Sequence, residues 1–373
     1  MITRRCLLGS MGALTLARPG IAATQVEPIR AALQEAVGAR ADVAGMIAVI
    51  IDETGSQMVS HGSSGVSGLA LDGEAVFEIM SNTKVLTSLL LAEMVGRGEV
   101  RLEDPVKQYL PPSLKLPELG GPIRLVDLAT YTSGLPNMPD NLPPNWYALP
   151  NPLADYSQDQ FFSFLSHYTP KYAPGTHYEY ANAGFGLLGI ALARRAGKTY
   201  EELLIERVCA PLGLAHTRIN LSDDMRRHLV QGHDIAMKPT HLWDFTALPG
   251  AGYARSTAND LTVFIKACLG LVETPLSAPL AHMRRVQRPT TLPGTNAGMG
   301  WYITQDRNDQ IVWKSGLSAG CNTFIGYAPR RRRGVVLLAN FLWRPIDAGL
   351  IAMGVKLISP DFQPVNFDAL YPH

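Results

Sequence analysis

Three short groups of residues carry side chains that together could do acyl-transfer chemistry. The first is Ser81-Asn82-Thr83-Lys84, a serine three residues ahead of a lysine, with the apolar run Val85 to Ala92 directly after it. This pattern predicts a helix whose first turn presents both side chains on one face. A serine at a helix N-terminus feels the positive end of the dipole, which favours its alkoxide. An amine kept uncharged by its surroundings can take the proton. Ser81 and Lys84 are therefore a candidate nucleophile and base, although a Ser-x-x-Lys also arises by chance about once in a chain this long.

The second group is Tyr180-Ala181-Asn182, on a connection between the turn Pro174-Gly175 and a helix expected from near Phe185. A phenol there could accept a proton if ammonium neighbours lowered its pKa. In an extended segment Asn182 points the same way as Tyr180. The third group, Lys314-Ser315-Gly316, ends a predicted strand. Its lysine can hold down the pKa of the phenol or bind a substrate carboxylate. Its glycine leaves room for a ligand backbone against the strand edge.

These residues need a large scaffold, and the chain has one. Of 373 residues, 46% are hydrophobic and 17% charged, enough to bury a sizeable core and to exclude a disordered chain. The formal net charge of +1 gives no global reason to expect a nucleic acid or an anionic membrane as partner. Arg4-Arg5, the apolar run Met11 to Ala17 and the small residues Gly20 to Ala23 predict an export signal over 1–23, of the twin-arginine type. Its apolar part is too short to span a bilayer, and no later stretch is long and apolar enough, so an exported protein without stable membrane insertion is expected. Cys209, Cys268 and Cys321 have no metal-ligand spacing and read as buried small hydrophobes with at most one disulfide. The nine histidines form no metal-binding pattern, and no metal or cofactor is expected. Nothing in the sequence speaks to oligomeric state.

Helical spacing over Pro28 to Ala39 is followed by a β-rich run, Gly45 to Asp52, a Glu53-Thr54-Gly55 turn and a second strand through Gln57 to Ser60. From Arg101 to about Leu280 the strand signal largely disappears. Helices are predicted there over Leu125 to Tyr131, Gln158 to His167, Phe185 to Arg195, Tyr200 to Val208 and Thr257 to Leu271, the last opened by a capping box with Asp260 in place of Glu. Leu135 to Asp155 holds six prolines and little periodicity and is expected at the rim of a site. From Met299 four β-rich runs return as an antiparallel meander, and a helix over Pro345 to Leu357 closes the chain. The expected fold is α+β. An antiparallel sheet flanked by helices is built from 24–100 plus 285–373, and a mainly helical domain, 101–284, is inserted between its halves.

Each triplet is weak alone, but their order and spacing are specific. Ser-x-x-Lys at the head of a helix, Tyr-x-Asn about a hundred residues on and Lys-[Ser/Thr]-Gly on a late strand resemble the signature of the penicillin-recognising serine hydrolases. Leu125 to Pro136, Val100 to Val106, Pro174-Gly175 and Leu337 to Asn340 resemble class C β-lactamases and the low-molecular-weight penicillin-binding peptidases, and the likeness spans nearly all of the chain after the signal. Gly45 to Ile50 and Pro111 to Leu116 lean toward the peptidase relatives. The resemblance implies that Ser81 is the acylated nucleophile and that Lys84 and Tyr180 are the proton-transfer groups, either of which could be the acylation base. It implies that Asn182 binds a substrate amide, that Lys314 is an electrostatic anchor beside Ser315 and Gly316, and that the backbone N–H groups of Ser81 and Leu317 form the oxyanion hole. The implied substrates are D-alanyl peptides or β-lactams, with a carboxylesterase and a β-lactam-acylated sensor as alternatives. Two places depart from the class C pattern. Asn137 and Met138 stand where a glutamine is usual, and Phe341-Leu342-Trp343-Arg344-Pro345 stands where an asparagine and an arginine are usual, with Arg344 as a candidate substitute.

Other motifs read as structural. Gly316-Leu317-Ser318-Ala319-Gly320 fits Gly-x-Ser-x-Gly, but a nucleophile elbow needs a following helix and this one precedes a β-rich run, so Ser318 is expected in a turn between strands. His233-Asp234 is expected as a polar turn and Arg330 to Arg333 as a solvated hairpin turn. Trp243 and Trp313 are expected in the core or lining the cleft.

Overall fold

The computed structural model describes residues 26–244, 246–342, 348–363 and 365–367. The predicted export signal, with Cys6, and Arg344 lie outside the described residues. The chain opens with helix α1 (Val26–Val37) and the hairpin β1 (Gly45–Asp52) and β2 (Gly55–Gly62), then reaches strand β3 (Val76–Glu78) and helix α2 (Thr83–Gly96). Helices α3 (Leu125–Ala129), α4 (Gln158–His167), α5 (Asn182–Ala196), α6 (Tyr200–Leu204), α7 (Ala210–Leu212), α8 (Asp223–Arg227) and α9 (Pro249–Gly252) follow. Strand β4 (Arg255–Thr257), helices α10 (Ala258–Cys268) and α11 (Ser277–Arg285), and strands β5 (Arg288–Pro289), β6 (Thr295–Ala297), β7 (Tyr302–Asp306), β8 (Asp309–Leu317), β9 (Asn322–Ala328) and β10 (Arg333–Ala339) lead to helix α12 (Ala348–Ile358).

The two ends of the chain build one antiparallel sheet of eight strands in the order β2-β1-β10-β9-β8-β7-β6-β5. Its closure is the pairing of β1 with β10, from Met46 opposite Ala339 to Ile51 opposite Gly334. β1 and β10 are apolar along nearly their whole length because helices cover both faces. A side chain at Gly334 would collide with Ile265 of α10, and one at Gly326 would press on Ile358 of α12. Gly326 pairs with Val335, the neighbour of Gly334, so the two glycines face opposite sides of the pleat. Thus α10 covers one face and α12 the other, although α10 falls in the stretch expected to be apart from the sheet.

Four short strands lie outside the β-rich runs expected from the sequence. β3 and β4 pair as a separate two-stranded sheet, with Val76 opposite Thr257 and Glu78 opposite Arg255, and β5 and β6 extend the edge of the main sheet. Each is two or three residues long, and β4 reads Arg-Ser-Thr, too short and too polar for a period-two pattern to register. The β3–β4 pair matters most here, because it anchors the chain just ahead of Ser81.

Helix α2 is the central post. Every residue from Thr83 to Met94 is buried, as expected for a segment apolar on all sides. The capping box at α10 is only half made. Thr257 Oγ1 accepts from the N–H of Asp260, but the Asp260 carboxylate is taken by the N–H of His216 and the hydroxyl of Thr217. The stretch from Leu135 to Asp155 is irregular apart from a single turn at Trp146–Ala148. Cys209, Cys268 and Cys321 are free thiols, and burial pushes Cys209 up to about 12.

Candidate active site

Ser81 sits in a tight turn, Met80–Asn82, that feeds directly into α2, so the serine lies one turn earlier than expected, just outside the α-helix. In such a 3₁₀ turn residues three apart eclipse, so Ser81 and Lys84 still share a face. Met80 adopts a φ of 41°, a left-handed conformation costly for a side chain with a Cβ, which marks a backbone held by its surroundings.

The Ser81 hydroxyl lies between two proton-transfer groups, 2.9 Å from Lys84 Nζ and 2.6 Å from Tyr180 OH. Tyr180 is on the connection before α5 and Asn182 is the first residue of that helix, so Asn182 reaches the cluster from a helix start and not from an extended segment. Its Oδ1 accepts from Lys84 Nζ at 2.7 Å. A third contact of the amine is the carbonyl of Ala251 in α9, which no sequence pattern flagged.

Lys84 is fully buried, and its pKa is held well below the ordinary lysine value, first by burial and then by the charge of Lys314. In its neutral form, which that shift favours, the amine has two N–H groups and one lone pair. Asn182 Oδ1 and the Ala251 carbonyl can only accept, so they take the two N–H groups. The lone pair is left for the Ser81 hydroxyl. That is the arrangement a general base requires.

Lys314 is fully buried on β8, with its Nζ 4.4 Å from the ring centre of Tyr302, 4.6 Å from that of Tyr180 and 5.4 Å from that of Tyr131. Tyr131 stacks on both Tyr180 and Tyr302, so three phenol rings enclose the ammonium. Tyr131 and Tyr302 were missed as site residues. The pairing of Tyr302 with Trp313, next to Lys314, is a sheet register invisible before folding.

Ser315, Gly316 and Leu317 complete β8. The N–H of Ser318, just past the end of β8, donates to the carbonyl of Cys321, just before β9, and continues the alternation of the paired strands into the turn. Antiparallel alternation then turns the N–H of the preceding residue, Leu317, away from β9 toward the open edge of the strand. Gly316 has a structural reason as well. A Cβ there would lie 2.1 Å from the Ile79 carbonyl, so the glycine admits the protein's own nucleophile segment.

Asn137 and Met138 meet Asn182 directly. Asn182 Nδ2 donates to Asn137 Oδ1 at 2.8 Å and to Met138 Sδ at 3.4 Å, and the Asn137 carbonyl accepts from the N–H groups that start α5.

The remaining motifs stay structural. Ser318 is in the turn between β8 and β9, with its Oγ accepting from the N–H groups of Gly320 and Cys321. Asp234 closes a polar turn through the N–H groups of Ala236 and Lys238, while His233 is buried beside the Asn340 carbonyl. The Arg330 to Arg333 turn is tied down through Asp309, Asp306 and Glu53. Trp313 is core, its Nε1 donating to Thr304 at 2.9 Å, and Trp243 is half-buried with its ring edge against Trp146. Among the described residues no group of three His, Cys, Asp or Glu side chains could hold a metal ion, and no helix is long and apolar enough to cross a membrane.

Known proteins share this arrangement of elements. The chain is 27% identical over 353 residues to a β-lactamase of Pseudomonas fluorescens, covering 85% of this chain and 94% of the relative. It is 29% identical over 311 residues to the D-alanyl-D-alanine-carboxypeptidase/endopeptidase AmpH of Escherichia coli (strain K12), covering 79% of each. A class C β-lactamase structure superposes with a TM-score of 0.77 at 18% identity, over 92% of this chain and 98% of that one. A β-lactamase/D-alanine carboxypeptidase from Pseudomonas syringae gives 0.76 at 21%, over 91% and 100%. Those structural likenesses establish the fold, an α+β arrangement of the class C β-lactamase and D-alanyl peptidase type. The family model described as beta-lactamase matches residues 30–347, and the chain belongs to that family.

Proposed function

We propose that the protein is an exported serine hydrolase that works through an acyl-enzyme on Ser81 and acts on D-alanyl peptides or the β-lactams that mimic them. One observation carries the mechanism: Lys84 Nζ lies within hydrogen-bond distance of Ser81 Oγ, Asn182 Oδ1 and the Ala251 carbonyl at once, so the neutral amine, giving its two N–H groups to the latter two, keeps its lone pair for Ser81. In the first step the Ser81 proton passes to Lys84 as Oγ attacks the substrate carbonyl. The N–H groups of Ser81 and Leu317 hold the oxyanion. The scissile C–N bond then breaks, and the leaving nitrogen takes a proton relayed through Tyr180, which already touches Ser81 Oγ. Water attacks the ester so formed, gives its proton back through the same groups and releases the acid. Lys314, in its cage of phenols, supplies the positive charge that attracts a substrate carboxylate and disfavours protonation of Lys84.

A second reading, a carboxylesterase, is favoured by Asn182. Its Nδ2 already donates to Asn137 and Met138, so a substrate amide would have to displace a contact that a simple ester leaves alone. Turnover of a chromogenic cephalosporin, a D-alanyl-D-alanine peptide and a short-chain ester by one preparation separates the readings, with Ser81→Ala as control. Peptide or cephalosporin turnover lost in Ser81→Ala is the expected result. Ester turnover alone would replace the substrate assignment, a stable adduct without turnover would make the protein a sensor, and full activity in Ser81→Ala would end the mechanism.

A further inference from the structure

The two N–H groups of the proposed oxyanion hole come from different segments, the turn at Ser81 and the end of β8. A tetrahedral oxyanion needs both within hydrogen-bond distance of one point. One pair of side chains crosses the gap, and a hydroxyl holds its far edge. Asn82, one residue after the nucleophile, donates from Nδ2 to Thr323 Oγ1 at 2.9 Å. Thr323 lies opposite Gly316 on β9, and its hydroxyl is 3.2 Å from the Gly316 carbonyl and 3.4 Å from that of Ile79.

On the far side of Leu317, the Ser318 hydroxyl accepts the N–H groups of Gly320 and Cys321 and so fixes the turn that follows β8. Ser318 directly follows Leu317. The serine of the Gly-x-Ser-x-Gly motif thus has work to do, though not as a nucleophile.

We propose that these two braces, Asn82 to Thr323 and the turn held by the Ser318 hydroxyl, set the separation of the Ser81 and Leu317 N–H groups and so the depth of the oxyanion hole. Thr323 and Ser318 are positioning residues that act through backbone they hold. This inference rests on the proposed acyl-enzyme mechanism. Displacing a reacting group by about 1 Å costs on the order of a hundredfold in rate, whereas substrate binding, which does not use the oxyanion donors fully, changes little.

The test compares Thr323→Val and Ser318→Ala with the hydroxyl-retaining Thr323→Ser and Ser318→Thr. Rates are measured per active site titrated with a chromogenic substrate that the unaltered protein turns over, so that misfolded protein is not counted. Affinity for phenylboronic acid, whose serine adduct places an oxygen in the oxyanion hole, is measured beside them. The expected result is a roughly tenfold to hundredfold fall in kcat for Thr323→Val and Ser318→Ala. KM should stay within about threefold, boronate affinity should weaken in step with kcat, and the hydroxyl-retaining variants should keep most of the activity. Unchanged kcat and boronate affinity per titrated site, with only the thermal midpoint lowered, would overturn the proposal and leave the mechanism standing. Absence of a Ser81 adduct by mass spectrometry in the unaltered protein would overturn the mechanism, and the braces with it.

Discussion

The floor of the site and its rim are built on opposite principles. On the floor, Lys84, Lys314, Asn82 and Thr323 are almost wholly buried, and their contacts join the Ser81 turn and α2 to α5 and to β9. The outer rim, from Pro139 to Asp155, exposes Tyr147 at 66% and Leu149 at 46% and has few ties to the rest. The main ones are the Asn151 amide bonded both ways to Asp244 at 2.9 Å, and Asn141 bonded to Tyr156 and Gln160. A buried polar group must find its partners or destabilise the fold, so the floor tolerates one arrangement. The rim carries no such constraint and can vary with the substrate. On the proposed mechanism, chemistry belongs to the floor and selectivity to the rim.

That contrast can be broken in several places. Lys84→Ala should lower acylation of Ser81 by at least about a thousandfold while the circular dichroism spectrum is kept, because the base is removed and a small side chain fits where a large one stood. An undiminished labelling rate would take Lys84 out of the mechanism. Tyr180→Phe keeps the ring that stacks on Tyr131 and removes only the hydroxyl, so turnover should fall about a hundredfold. A loss below about fivefold would make Tyr180 a packing residue.

Gly316→Ala tests the floor through stability. The added methyl meets the Ile79 backbone, which cannot step aside, and should cost about 1–3 kcal/mol in urea unfolding. A midpoint equal to that of the unaltered protein would mean the two segments are not held as tightly as the contact implies.

Lys314→Met tests the coupling of the two lysines. The Lys314 charge disfavours protonation of Lys84, so its removal raises the Lys84 pKa. The free base is lost as pH falls through that pKa. The acid limb of kcat/KM should therefore move to higher pH, measured on an uncharged ester so that carboxylate binding plays no part. A limb that stays in place would assign it to another group.

The smallest effect is expected at the rim. Asn151→Ala removes both bonds to Asp244 and should change KM severalfold for substrates with bulky acyl groups, with kcat on a short-chain ester within about twofold. A large fall in kcat on the small ester would show that the rim also shapes the floor.

Much of this was legible before folding. Ser81, Lys84, Tyr180 and Lys314 stand in short motifs with fixed spacing, and the strands β1 and β7 to β10 are long apolar runs whose period leaves little choice. Less legible were groups defined by approach. The Ala251 carbonyl is a backbone atom that any residue supplies, Tyr302 and Tyr131 look like ordinary core aromatics, and β3 and β4 are too short to form a pattern. Gly316 was noticed without its Ile79 neighbour, because sequence reports that a side chain is missing without saying what fills the space.

The sequence by itself determined which reactive groups are present and that Ser81 and Lys84 must share a face, since a helical turn enforces that locally. Tertiary structure decided the protonation and the aim. Lys84 is an ordinary lysine until burial and Lys314 lower its pKa and two acceptors from α5 and α9 turn its lone pair toward Ser81. Desolvation and donor counting depend on atoms about 100 and 170 residues away along the chain, and only the fold brings them together.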